Sequence, residues 1–272
     1  MAKRHVGCDT WAFRSHKLRD FVPTLGSLGF DCVNLSSVSG VCAHVLPEHS
    51  SRRLEAIRRI CESNRLPIAA IHTGAPLAAA GRDDREDAID LVRRYVEMCK
   101  VLAAGMIVID LAGMEPGEQI NAVVERTRPA LKECAEIARA AAVRLAIESD
   151  TQAAVNTAEL DRKIIDAVNH PALGANFNVG NLQAAGYDAL AAIDILAGKI
   201  SNVHLKDVMA KNGLLAYCGI GEGQVDFPPI IRKLNGAGYA GPLIVEYDGD
   251  GSPLAGVQKS VEHLQPILSK LG

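Results

Sequence analysis

Eight short apolar segments, separated by amphipathic helical patterns, constrain the fold of this 272-residue chain more than any other feature. Strands are predicted at 5–8, 32–35, 68–72, 106–110, 145–148, 173–178, 203–205 and 243–246. Each segment is apolar along most of its length, and Gly or Pro precedes several of them, as in SLGF and RLP. Strands of this kind are buried on both faces, which is typical of a parallel sheet covered by helices.

The segments between the predicted strands carry the helical period. In AIDLVRRYVEMCKVLAA, apolar residues recur every three or four positions and form one stripe, at Ala88, Val92, Tyr95, Cys99 and Leu102. HSSRRLEAIRRICE has a similar stripe and a serine suited to cap the helix. A last helix is predicted over 254–271, where it would complete the outer ring.

Eight such units predict an α/β fold, a single closed (β/α)₈ TIM barrel over residues 1–272 with no second domain. An open doubly wound sheet is the structural alternative. That fold normally shows a glycine fingerprint after its first strand, and VGCDTWAF does not contain one.

Composition and charge restrict the class of function. The chain has 29 Lys and Arg against 32 Asp and Glu, a net charge of −3, which disfavours nucleic acid as a partner. The seven cysteines are scattered without a CxxC pair, which is typical of reduced thiols in a cytoplasmic protein. A reactive role for Cys218 is a minor alternative. No apolar run suits a signal peptide or a membrane span, so no membrane association is expected.

Polar residues stand at the ends of the predicted strands, where a TIM barrel places its active site. In chain order they are Asp9, Asn34, His72, Asp110, Glu148, the asparagines 176, 178 and 181, His204 and Glu246. Buried carboxylates are costly unless they are paired or bind a metal. Glu148, Glu246 and His204 together therefore predict a site for Mn²⁺, Mg²⁺ or Co²⁺.

Plainer interpretations compete with this one. A single glutamate at a strand end is often a solvated rim residue, although three such residues together favour the metal. His72 is a hydrogen-bonded structural histidine or a substrate contact. Asp9, Asn34 and Asp110 are interpreted as residues that fix loops.

Four segments carry a resemblance to a known family: LAIESD, ANFNVGNLQAAG, ISNVHLKDV and GIGEGQVDFPPIIRKLNGAGYAGPLIVEYDG. They resemble the sugar phosphate isomerase/epimerase family, the xylose isomerase-like barrels. The resemblance implies one divalent metal, held by Glu148, Asn178, His204 and Glu246. Asn178 stands where the family has aspartate, which implies either a weaker site or a more electrophilic metal. Asn181 stands where relatives carry His or Asn.

The resemblance also implies an activity, an isomerase or epimerase acting on a sugar, sugar phosphate or cyclitol through a metal-stabilised enediolate. Glu148 and Glu246 would be catalytic, and Mn²⁺ is favoured over Mg²⁺, Co²⁺ or Zn²⁺. The substrate-binding residues would be His72, Asn181, His204 and Lys206. Lys206 is also a candidate to pair with Asp207, and the glycine-rich loop 211–224 is either a phosphate nest around Gly221 and Gly223 or a plain flexible turn.

Three other functions stay open at this point. The same site could serve a metal-dependent dehydratase or lyase on a keto-cyclitol, or Asn178 could mark a non-catalytic sugar-binding homologue with a decayed site. A barrel-type AP endonuclease is disfavoured because no histidine ends strand four and the balance of charge is acidic. The expected partner is a small carbohydrate, and a homodimer or homotetramer is expected.

Overall fold

The structure, a computed structural model, describes residues 4–114, 117–149 and 158–271. The strands within these residues are β1 (Val6–Asp9), β2 (Cys32–Val38), β3 (Cys42–Ala43), β4 (Ile68–Ala75), β5 (Met106–Leu111), β6 (Arg144–Ser149), β7 (Leu173–Asn178), β8 (Ile200–Leu205), β9 (Asp207–Lys211), β10 (Leu214–Cys218) and β11 (Leu243–Val245).

Eight of these strands form a closed parallel barrel. Their order is β1-β11-β8-β7-β6-β5-β4-β2, and β1 pairs with β2 to close the sheet. These eight are the predicted strands, so the predicted TIM barrel is confirmed. The sequence did not reveal β3, which pairs antiparallel with β2, or the hairpin of β9 and β10, which occupies much of the predicted glycine-rich loop.

Helices surround the barrel as α1 (Leu18–Ser27), α2 (Ser51–Ser63), α3 (Arg82–Leu102), α4 (Ile120–Ala140), α5 (Ala158–Val168), α6 (Val179–Ala184), α7 (Ala189–Ile195), α8 (Phe227–Gly236) and α9 (Pro253–Leu271). The predicted apolar stripe of α3 is buried, as expected of a helix packed on a sheet. Ser50 caps α2, because its side chain accepts the backbone N–H of Arg53.

The core divides into two layers. Most buried apolar side chains pack between the strands and the helices. A smaller cluster contains Ala70, Val108 and Ala146. Each of these lies two residues before a polar strand residue, namely His72, Asp110 and Glu148. Since alternate residues of a strand share a face, the small cluster is the floor beneath those polar side chains.

Two further expectations concern the cysteines and the membrane. All seven cysteines are free and buried, as predicted for core thiols. Burial raises the pKa of the Cys218 thiol to about 12, which argues against the reactive role considered for it. Within the part of the chain that the structure describes, no helix is both long enough and apolar enough to cross a membrane.

Candidate active site at the carboxyl ends of the barrel strands

Two buried glutamates form the centre of the site. Glu148 lies on β6, and Glu246 directly follows β11 on the other side of the barrel opening. Their relative exposures are 4% and 5%. Asn178, the last residue of β7, joins them, because its Nδ2 donates to Glu148 Oε1 at 2.7 Å and to Glu246 Oε2 at 2.8 Å. The structure thus brings these three predicted residues together.

The Asn178 amide has a fixed orientation. Its Oδ1 accepts the backbone N–H of Asn181 at 3.2 Å, since Asn178 is the N-cap of α6. A backbone N–H can only donate, and ionised carboxylates can only accept. The amide nitrogen must therefore face the two glutamates. An aspartate here could not make these two hydrogen bonds, so Asn178 acts as a bridge between the glutamates.

Lys206 lies next to Glu246, not beside its sequence neighbour. Its Nζ donates to Glu246 Oε1 at 2.8 Å and lies 3.5 Å from Asp248 Oδ2. The predicted pair with Asp207 is therefore wrong. The side chains of Lys206 and Asp207 point in opposite directions because adjacent residues of extended backbone alternate.

Asp207 organises the glycine-rich loop from within. Its buried carboxylate accepts the backbone N–H groups of Gly221, Gly223 and Val225 at 2.9–3.0 Å. Gly221 and Gly223 are the donors for which a phosphate nest was considered as an alternative to a plain flexible turn. Their N–H groups are instead bound by the protein's own carboxylate.

His204 stands between the two glutamates. The ring is fully buried, and Nδ1 lies 3.1 Å from Glu246 Oε2 and 3.6 Å from Glu148 Oε2. Nε2 faces the other way, 3.1 Å from Nδ2 of Asn34 on β2. Asn34 therefore contacts the site, whereas the sequence had suggested only a role in fixing a loop.

His72 is held by carboxylates on both sides. Nε2 lies 2.9 Å from Asp110 Oδ1, and Nδ1 lies 3.3 Å from Asp9 Oδ2. Asp9 also accepts the backbone N–H of Trp11 and so fixes the turn after β1, as predicted. Asp9 and Asp110 thus hold His72 from its two ring nitrogens, and the buried Asp9 carboxylate also lies 3.9 Å from His204 Nε2.

Asn176 is a site residue that the sequence interpretation left without a role. Its Nδ2 donates to Glu148 Oε2 and lies 3.2 Å from His204 Nδ1, while its Oδ1 accepts from Asn202 at 2.7 Å. The signal was present in the sequence, because Asn176 and Asn178 are two residues apart on β7 and share a face.

Tyr217, on β10, is a second missed residue. Its hydroxyl donates to Asn181 Oδ1 at 2.9 Å, and Asn181 Nδ2 donates to Glu148 Oε1 at 2.6 Å. The Lys206 ammonium lies 3.7 Å from the centre of the Tyr217 ring. The tyrosine therefore reaches both glutamates, each through one intermediate residue. The sequence pattern predicted neither the β9–β10 hairpin nor a role for this tyrosine.

The surrounding charges shift the pKa values of the two glutamates in opposite directions. Burial, together with the nearby Asp110 carboxylate, raises the pKa of Glu148 to about 7. Burial acts in the same direction on Glu246, but Lys206 and His204 outweigh it and hold the pKa of Glu246 well below its usual range. Two carboxyl groups with separated pKa values are typical of acid–base sites.

The same side chains suit a divalent cation. Glu148, His204 and Glu246 each offer one ligand atom, and these atoms lie within 4.8 Å of one another. Carboxylate oxygen and imidazole nitrogen are ligands for Mn²⁺, Mg²⁺, Co²⁺ and Zn²⁺. Asn178 presents its nitrogen here, and an amide nitrogen is not a ligand. Its Oδ1 would reach the cation only if the amide rotated and released the Asn181 N–H.

Known proteins are similar to this chain in sequence or in fold. L-ribulose-5-phosphate 3-epimerase UlaE of Escherichia coli is 28% identical over 254 residues, which are 90% of this chain and 88% of that protein. The structure of the IOLI protein with a bound zinc atom superposes with a TM-score of 0.85 at 18% identity, covering 98% of this chain and 99% of that one. The structure of D-psicose 3-epimerase superposes with a TM-score of 0.81 at 16% identity, covering 99% of this chain and 100% of that one.

The family relationship rests on most of the chain. The family model described as the xylose isomerase-like TIM barrel matches residues 24–267. That range includes seven of the eight barrel strands and both glutamates. The chain therefore belongs to the xylose isomerase-like TIM barrel family.

Proposed function

We propose that this protein is a sugar epimerase that transfers a proton at the carbon next to a ketose carbonyl. The observation that carries the proposal is the pair of buried glutamates, joined by Asn178 and flanked by His204. Two relatives support it, because L-ribulose-5-phosphate 3-epimerase and D-psicose 3-epimerase are both 3-epimerases. The proposed substrate is accordingly a ketose or a ketose phosphate, with inversion at carbon 3.

The two glutamates divide the proton transfers. One carboxylate removes the proton from the carbon beside the carbonyl, and the other carboxyl returns a proton on the opposite face. Lys206 keeps Glu246 ionised through its 2.8 Å ion pair. Before a cation binds, Asn178 holds the two carboxyl groups at a constant separation, because it donates to both.

We propose Glu148, His204 and Glu246 as ligands of one divalent cation, Mn²⁺ in the first instance. Asn178 would take the fourth position after its amide rotates to present Oδ1. When bound, the cation would supply stabilisation of the negative charge that develops on the carbonyl oxygen. Binding of the substrate hydroxyl groups is assigned to His72 and Asn181, which border Glu148.

The test is solvent deuterium exchange. Wild type is incubated in D₂O with ketoses and their phosphates, and the products are analysed by NMR and mass spectrometry. We expect an epimer that carries one deuterium at the inverted carbon, and we expect Glu148→Gln and Glu246→Gln each to lose the exchange. Glu97→Gln, an exposed site on α3, is the matched control and should exchange like wild type.

Two results would contradict the proposal. A product that has lost water would identify a dehydratase instead. Absence of exchange with every ketose, in a folded protein loaded with Mn²⁺, would favour a sugar-binding protein without catalysis.

A further inference from the structure

The two nitrogens of His204 have different neighbours. Nδ1 faces the carboxylates of Glu148 and Glu246, where the cation is proposed. Nε2 faces the Asn34 amide at 3.1 Å, with Asp9 Oδ2 farther away at 3.9 Å. Nδ1 is therefore the nitrogen that would bind a cation. A ring that binds through Nδ1 carries its proton on Nε2.

Asn34 reaches His204 across the inside of the barrel. It lies on β2, which is not a neighbour of β8, and the two residues are 170 positions apart. The side chain is 0% exposed. Its Nδ2 faces His204, and its Oδ1 has no hydrogen-bond partner among the described residues. A buried amide oxygen without a partner is unfavourable, and it is rare in folded proteins.

The Asn34 amide, as it is oriented, suits only an imidazole ring whose Nε2 carries no proton. A neutral ring with its proton on Nδ1 donates to Glu246 and accepts the Asn34 N–H at Nε2. A ring bound to a cation through Nδ1 has an Nε2–H group, which would face the amide N–H as a second donor. Rotation of the Asn34 amide by half a turn brings Oδ1 to Nε2–H and removes this conflict, with almost no change of shape.

We infer that Asn34 is a positioning residue that presents its amide oxygen to His204 Nε2–H when the cation binds. The hydrogen bond fixes the tautomer and the plane of the ring, so that Nδ1 stays directed at the cation. The inference rests on the proposed function, since it requires a divalent cation at Glu148, His204 and Glu246.

The first test is NMR of wild type labelled with ¹⁵N at histidine and asparagine. Zn²⁺ is the probe because it is diamagnetic, and the His204 signals are assigned from their loss in His204→Gln. We expect Zn²⁺ to shift Nδ1 to a metal-bound value, to leave the proton on Nε2, and to shift the Asn34 side-chain amide. If Zn²⁺ binds at Nε2 and the proton stays on Nδ1, this measurement on wild type alone overturns the inference.

The second test is Mn²⁺ affinity measured by calorimetry. Asn34→Leu changes no charge and removes the acceptor, and it should weaken binding about 10- to 100-fold, as for other residues that orient metal-bound histidines. Asn34→Asp keeps an acceptor and should bind at least as tightly as wild type. Ser37→Ala is the control, since Ser37 is buried on the same strand but bonds to Val45 and Tyr95.

The outcomes separate the two ideas. Equal Mn²⁺ affinity of Asn34→Leu and wild type would refute the role of Asn34 and leave the proposed cation site in place. If wild type takes up neither Mn²⁺ nor Zn²⁺, the proposed cation site fails, and the inference about Asn34 fails with it.

Discussion

Replacing Asn178 by aspartate should destabilise the protein without metal and make its stability strongly dependent on metal. Two buried hydrogen bonds to carboxylates, at 2.7 and 2.8 Å, would be lost. Hydrogen bonds to charged groups contribute about 1.5–3 kcal/mol each, which gives a loss of roughly 3–6 kcal/mol. With about 2.1 cal/mol/K of unfolding entropy per residue, a chain of 272 residues would then lose about 5–10 °C in Tm. The new carboxylate would also face Glu148 and Glu246 below 3 Å, a repulsion that a bound cation relieves.

The assay is thermal unfolding at pH 8, with EDTA and then with saturating Mn²⁺. At that pH Glu148, whose pKa is raised to about 7, is largely ionised. A cation present at about 100 times its Kd adds about 2.7 kcal/mol to the stability. Because the cation also relieves the repulsion among the three carboxylates of Asn178→Asp, Mn²⁺ should raise the Tm of this variant more than that of wild type. Asn121→Asp, at an exposed position of α4, is the matched control. If Asn178→Asp without metal has the same Tm as wild type, the bridging role of Asn178 is refuted.

Three further predictions follow from other contacts. Asp207→Asn should lower the free energy of unfolding by about 2–4 kcal/mol, because two of the loop N–H groups lose their acceptor. The exposed Asp194→Asn should leave it unchanged, and equal urea midpoints for the two variants would contradict this prediction. Tyr217→Phe should lower kcat/KM about tenfold, since Asn181 is no longer held against Glu148, while Tyr187→Phe should be neutral. An unchanged kcat/KM in Tyr217→Phe would speak against it. Because every cysteine is buried, the native protein should show no fast-reacting thiol with Ellman's reagent at pH 8, and seven thiols after denaturation. One rapidly reacting thiol in the native protein would contradict this burial.

The sequence alone was sufficient for the barrel and for the central residues of the site. Mostly apolar strands alternating with amphipathic helices leave few folds available, and in a parallel barrel all strands end at the same rim. The sequence therefore predicts that Glu148, Asn178, His204 and Glu246 lie together. Asn178 could be identified as unusual, but its role as a donor to two glutamates could not.

Only the tertiary structure decided the contacts between distant elements. Lys206 pairs with Glu246, 40 residues away, and Asn34 meets His204 across the barrel. The β9–β10 hairpin brings Tyr217 against Asn181, although its short strands look like a loop in the sequence. The physical reason is that strand periodicity determines which face a side chain occupies. Which other side chain it contacts on that face depends on how the barrel closes, and the local pattern of residues does not encode barrel closure.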